Sequence, residues 1–115
     1  MESELVMYIF VNSDLKLRKG RAAAQVGHIV QTITEEIIRD NYERFPPPLY
    51  CLTYIKWSQK CTKVVLQATE LELNELLKHS EARSFIDTDT EGKKILTTVG
   101  FFPSTNHNFD SYKLL

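Results

Sequence analysis

Residues 4–12, "ELVMYIFVN", form a short and almost unbroken apolar run rich in Val, Ile, Tyr and Phe. A half-exposed strand would alternate apolar and polar residues, so this run predicts a central strand covered on both faces. "NSD" breaks it, and over residues 21–42 the period changes. Val26, Ile29, Val30, Ile33 and Ile37 recur at helical spacing and make one apolar stripe. Gln25, His28, Thr32 and Glu36 form a polar row beside it. The prolines at 46–48 stop any helix before them. "LYCLTYIKW" fits either period, but a proline is well tolerated at a helix start, so a short second helix is expected there. "TKVVLQA" (62–68) reads as a β-branched strand. "TELELNELLKHSEA" reads as a helix with Thr69 as N-cap, Glu72 completing a capping box, and Leu71, Leu76 and Leu77 facing inward. "RSFID" and "KILTTVGFFP" read as two more strands around the turn "TDTEG". This order calls for an α/β fold with a mixed sheet between helical layers.

Composition narrows the class without naming a function. The chain of 115 residues, 43% hydrophobic and 25% charged, reads as a single globular domain spanning 1–115. It has no apolar run near the ~20 residues of a membrane helix. Its acidic opening lacks the basic region and cleavage site of a signal peptide. Cys51 and Cys61 lack paired metal spacing, which suits free thiols in a reducing cytoplasm. His28, His79 and His107 are far apart in sequence, so no metal site is expected. Dinucleotide, P-loop and nucleophile-elbow motifs are absent. A net charge of −1 argues against a general nucleic-acid coat but leaves room for a local anion site.

Such a site has a candidate. Lys16, Arg18, Lys19 and Arg21 crowd into six residues at the expected start of the first helix, the end where cations are mildly unfavourable. Gly20 follows Lys19 and leaves the backbone open where helical N–H groups begin, a combination able to hold a phosphate or a developing oxyanion. Gln25 and His28 lie on the polar row, and Asp87 and Asp89 at the expected carboxyl end of a strand, where open α/β sheets place their sites. Each feature also has a bland counterpart: a solvated loop, a pair satisfied by water, a turn using Asp and Thr for local bonds. Trp57 reads as a packing residue.

Joined together, these residues resemble a known family. "DLKLRKGRAAAQVGH" is similar to the opening of the type-2 peptidyl-tRNA hydrolases, with Lys19, Gly20, Ala23, Ala24, Gln25, Gly27 and His28 at matching positions. Trp57 with "QKCTKVVLQA", then "TTVGFFP" and the final "YKLL", extend the resemblance over nearly the whole chain. It implies a three-layer α/β/α sandwich on a four-stranded mixed sheet with one antiparallel strand, commonly a homodimer. It also implies cofactor-free hydrolysis of the ester joining a peptide to the 3′ end of tRNA, in the cytoplasm. By position, Lys19 would bind phosphate or stabilise the oxyanion, and Gln25 and His28 would shape the pocket. Lys16, Arg18 and Arg21 would meet the RNA backbone, beside Gly20.

The chain departs from the family in "FIDTDTEGKKILTTVGFFP", which is shorter and lacks the Ala-Gly-x-Thr and Pro-Gly-Thr segments. Asp87, directly after Ile86, or Asp89 would be the catalytic acid. Thr88 or Thr90 would replace one family threonine, and Thr97 matches another. The alternative function is a binding module of the same fold that has lost turnover and keeps RNA or protein binding.

Overall fold

The structure, a computed structural model, describes residues 4–115. The acidic opening at 1–3 lies outside the described residues. The elements run β1 (Met7–Asn12), a short 3-10 turn (Ser13–Leu15), α1 (Lys19–Glu43), α2 (Leu49–Trp57), β2 (Lys63–Ala68), α3 (Glu70–Leu76), β3 (Ala82–Thr88) and β4 (Lys94–Phe101). The sheet order is β2-β1-β4-β3. β1 pairs parallel with β2, and β4 pairs antiparallel with both its neighbours, so β4 runs against the other three strands.

The apolar run does make the central strand. Met7 and Ile9 pack with Ile29, Ile33, Ile37 and Cys51 from α1 and α2. Phe10 turns to the opposite face, with Leu73 and Leu76 of α3. Both faces of β1 are therefore dry, which is the expected three-layer arrangement. The strand starts at Met7 rather than residue 4, because Val6 exchanges two backbone hydrogen bonds of 3.1 Å with Ser104 instead.

On α1 the stripe is as its period predicts: Ile29, Ile33 and Ile37 are buried, with Val26 and Val30 half-buried at its flank. The helix lies tight against β4 at Gly100, where a β-carbon would stand 2.8 Å from Cγ1 of Ile29. The ambiguous segment after the prolines is helix α2, and its Trp57 is buried, donating to the Thr62 carbonyl over 2.8 Å.

α3 carries the expected capping box, Thr69 accepting from the Glu72 N–H at 3.2 Å while Glu72 accepts from the Thr69 N–H at 2.9 Å. One inward residue differs. Leu71 is 75% exposed and Leu73 takes its place in the core. With the helix beginning at Glu70, Leu73 and Leu76 are the i, i+3 pair facing the sheet, and Leu71 falls on the far side.

The two sheet edges differ. Along β2, the chain end adds a short antiparallel stretch: the Gln67 N–H donates to Lys113 at 2.9 Å and the Leu115 N–H to Val65 at 3.1 Å. β3 forms the other edge. Between β3 and β4 the register slips: Phe85 opposes Thr98 but Ile86 opposes Leu96, which leaves Thr97 as the extra residue of a β-bulge.

Candidate active site

The bulge decides where Thr97 points. Gly100 faces α1, so strict alternation would send Thr97 to the opposite face. The inserted residue instead brings the buried Thr97 hydroxyl to α1, where it donates to Oε1 of Gln25 over 2.7 Å. The Gln25 Nε2 then donates to Oδ2 of Asp87 on β3 over 2.8 Å. One amide thus joins side chains from a helix and two strands. Its orientation follows from chemistry, since a carboxylate only accepts.

Asp87 is placed by this bond and by a second, from the Thr88 N–H to Oδ1 at 2.8 Å. Together the Gln25 amide and the Thr88 N–H hold the carboxyl below the usual carboxylate range; partial burial opposes them and the nearby His28 charge adds to them. Asp87 is therefore ionised throughout the neutral range. His28, one turn after Gln25, stacks on Phe85 with ring centroids 4.7 Å apart. Further along the same polar row, Glu36 takes a two-pronged contact from Arg83, Nε at 2.7 Å and Nη2 at 2.8 Å. The row first visible as a sequence pattern is the seam between α1 and the edge strand.

Asp89 lies elsewhere in character. Its Oδ1 accepts the backbone N–H groups of Glu91 at 2.9 Å and Lys93 at 2.8 Å, so it organises the β3–β4 turn. Thr88 and Thr90 are exposed there.

The basic cluster sits at the start of α1. Lys16 closes the 3-10 turn in left-handed backbone geometry, φ 49°. Arg18 is the N-cap of α1 without a side-chain cap bond, and the first turn holds no acidic residue. Lys16, Arg18 and Arg21 line a cavity of about 310 Å³ together with Leu15 and Leu17. Arg21 stands one turn before Gln25 on the same face. Lys19, exposed like Gly20, is six residues before Gln25, roughly 9 Å along the axis and about a third of a turn around it. Among the described residues no group of His, Cys, Asp and Glu gathers to hold a metal.

Two positioning residues escaped the sequence reading. Asn12, fully buried at the end of β1, donates to the Leu96 carbonyl at 2.8 Å and accepts from the Asp14 N–H at 2.9 Å. It ties the loop that leads to Lys19 to the strand that carries Thr97. A polar residue closing an apolar strand was its only signal. Phe85 had none, because a half-buried strand aromatic looks like any core residue.

A cation-rich helix start and a carboxylate fixed by Gln25 thus share an α/β sheet with a single reversed strand. The family model described as Peptidyl-tRNA hydrolase PTH2 matches residues 5–113, and the chain belongs to that family. No individual curated protein matches it.

Proposed function

We propose that this protein hydrolyses the ester between a peptide, or an N-blocked amino acid, and the 3′ end of tRNA. The observation that carries the reading is the Gln25 amide clamped between Asp87 and Thr97, close to an uncapped, cation-rich helix start. Asp87 accepts a hydrogen bond from water and aims its lone pair at the ester carbonyl carbon. A carboxylate with a lowered pKa is a weak base, so its work is orientation and electrostatic support of the proton leaving that water. As the water oxygen bonds to carbon, the carbonyl oxygen gains charge, which Lys19 and the unpaired N–H groups of the first α1 turn stabilise. The carbon–oxygen bond to the ribose then breaks, and the proton ends on the 3′-oxygen. Free tRNA and a peptide carboxylate leave, the second proton of the water passing to solvent.

Thr97 and Gln25 hold the carboxylate, and His28 on its Phe85 platform borders the pocket. Lys16, Arg18 and Arg21 take backbone phosphates, with Gly20 allowing close approach. Asp87 fills the acid's role in preference to Asp89, whose oxygen is already engaged by two turn N–H groups. Homodimeric assembly and a cytoplasmic location belong to the same reading, carried by the family resemblance; no helix among the described residues is long and apolar enough to cross a membrane.

The test is purified protein with N-acetyl-aminoacyl-tRNA and peptidyl-tRNA. Release of tRNA in proportion to enzyme is the expected result. Retention of intact ester, with the RNA still bound, would convert the protein into a binding module.

A further inference from the structure

The open edge of β3 ends beside Asp87, and its backbone groups can be sorted one by one. The Glu81 carbonyl accepts from Phe102 at 3.1 Å, the Phe85 carbonyl accepts from the Thr97 hydroxyl at 3.2 Å, and the Asp89 N–H donates to Lys93 at 2.9 Å. Odd-numbered residues therefore face β4, and even-numbered ones face away from the sheet. The extra residue of the bulge is on β4, so this alternation on β3 is unbroken.

Outward donors are engaged at both ends of the strand, and at its start the carbonyl is engaged as well. The Ala82 N–H donates to His79 at 3.1 Å and its carbonyl accepts from Arg83 Nη1 at 2.9 Å. The Thr88 N–H donates to Asp87. Between them stand Ser84 and Ile86, whose outward N–H and C=O groups have no backbone partner among the described residues. Ile86 also leaves an apolar side chain 54% exposed on this edge. Proteins usually cover such an edge, as the chain end here covers β2. An open one is a template for an added strand.

We propose that the peptide portion of the substrate docks as an added strand on this edge; the inference rests on the esterase reading above. Direction follows from chemistry. The peptide is attached through its C-terminus, which must lie at Asp87, and the free backbone groups lie on the Ala82 side of that point. The peptide therefore runs parallel to β3. In a parallel ladder one residue donates to the position before its neighbour and accepts from the position after it. With the esterified residue opposite Asp87, its N–H meets the Ile86 carbonyl. The third residue from the ester then sits opposite Phe85, donating to the Ser84 carbonyl and accepting from the Ile86 N–H. The second residue's N–H points away. Recognition reads main chain with a period of two, so it is indifferent to peptide sequence and needs at least three residues.

The probes are non-hydrolysable adenosines carrying an acetylated peptide in amide linkage at the 3′ position: one residue, three residues, and three residues N-methylated at the second or the third from the adenosine. Affinity and hydrogen exchange of the Ile86 amide are measured on the whole protein. The tripeptide should bind about tenfold tighter than the single residue and slow Ile86 exchange. Methylation at the second residue should leave both effects, and methylation at the third should abolish them. Equal effects of the two methylations would overturn the proposal. So would Ile86 protection without ligand that grows with protein concentration, which would give the edge to a second copy. Hydrolysis of N-acetyl-aminoacyl-tRNA is scored separately. Turnover without the alternating pattern sinks only the added strand, and the pattern without turnover sinks only the esterase.

Discussion

The hydroxyl of Thr97 and the amide oxygen of Gln25 meet at 2.7 Å, on the opposite end of the amide from Asp87. The carboxylate can only accept and so takes the amide N–H, which leaves the amide oxygen to the hydroxyl. Thr97 therefore acts on Asp87 through an intermediary, and the bulge that turns Thr97 toward α1 is part of the same device.

Removal of the amide should move the acid limb of the pH–rate profile. Asp87 is held below the usual carboxylate range first by Gln25, so in Gln25→Ala the limb shifts to higher pH. The linked stability has a definite sign. The depressed pKa stabilises the fold above the ordinary carboxylate pKa of about 4, and that contribution is lost as pH falls through the native value. Asp87→Asn should accordingly be less stable than the parent at pH 7 and match it in strong acid. Parallel pH titrations of turnover and denaturant midpoint check both.

The two aspartates should separate under the same mild change. Asp87→Asn keeps the shape but loses the charge that orients water, and turnover should fall by about 10²-fold or more. Asp89→Asn retains an oxygen for the Glu91 and Lys93 N–H groups, and turnover should stay within about twofold of the parent. Steady-state kinetics on N-acetyl-aminoacyl-tRNA decide it; a reversed order would transfer the acid's role to Asp89.

Lys19→Ala should lower turnover on the order of 10²-fold with an unchanged melting temperature, because the side chain is exposed and packs against little. Lys19→Arg should recover only part of the rate, since a planar guanidinium does not replace a compact ammonium.

Charge reversal at Arg18 and Arg21 should weaken tRNA binding and flatten its salt dependence, by about one phosphate per lost cation. The chain's net charge of −1 supplies no general attraction to RNA, so affinity rests on this cluster. A fluorescence titration of tRNA at several salt concentrations gives the slope.

Gly100→Val should destabilise the fold by about 1–3 kcal/mol, as overpacking does, with the site chemistry untouched. Its side chain would enter the space held by Cγ1 of Ile29 and Cδ1 of Ile33, 2.8 and 3.0 Å from the β-carbon position. Chemical denaturation measures the loss.

Periodicity exposed what periodicity controls. An unbroken apolar run marked β1 as central, a helical stripe marked α1, and the Thr69–Glu72 spacing marked the start of α3. Leu71 was misassigned because two leucines two residues apart occupy opposite helix faces, and choosing between them needs the helix start to within one residue. The site was half legible. Gln25, Asp87 and Thr97 were each named, but nothing in the chain tied residues 62 and 72 positions apart to one amide. That connection depends on a one-residue slip between two strands, and a register shift leaves no mark in composition or period.

The final residues of the chain, laid along β2, also set a limit on assembly. Over residues 65–67 the backbone groups of β2 that a neighbouring molecule would need are already taken within the molecule. Any strand-to-strand encounter on that side must meet the short 113–115 segment instead of β2, whereas β3 offers its own backbone directly at Ser84 and Ile86. The two ends of one sheet are thus unequal templates.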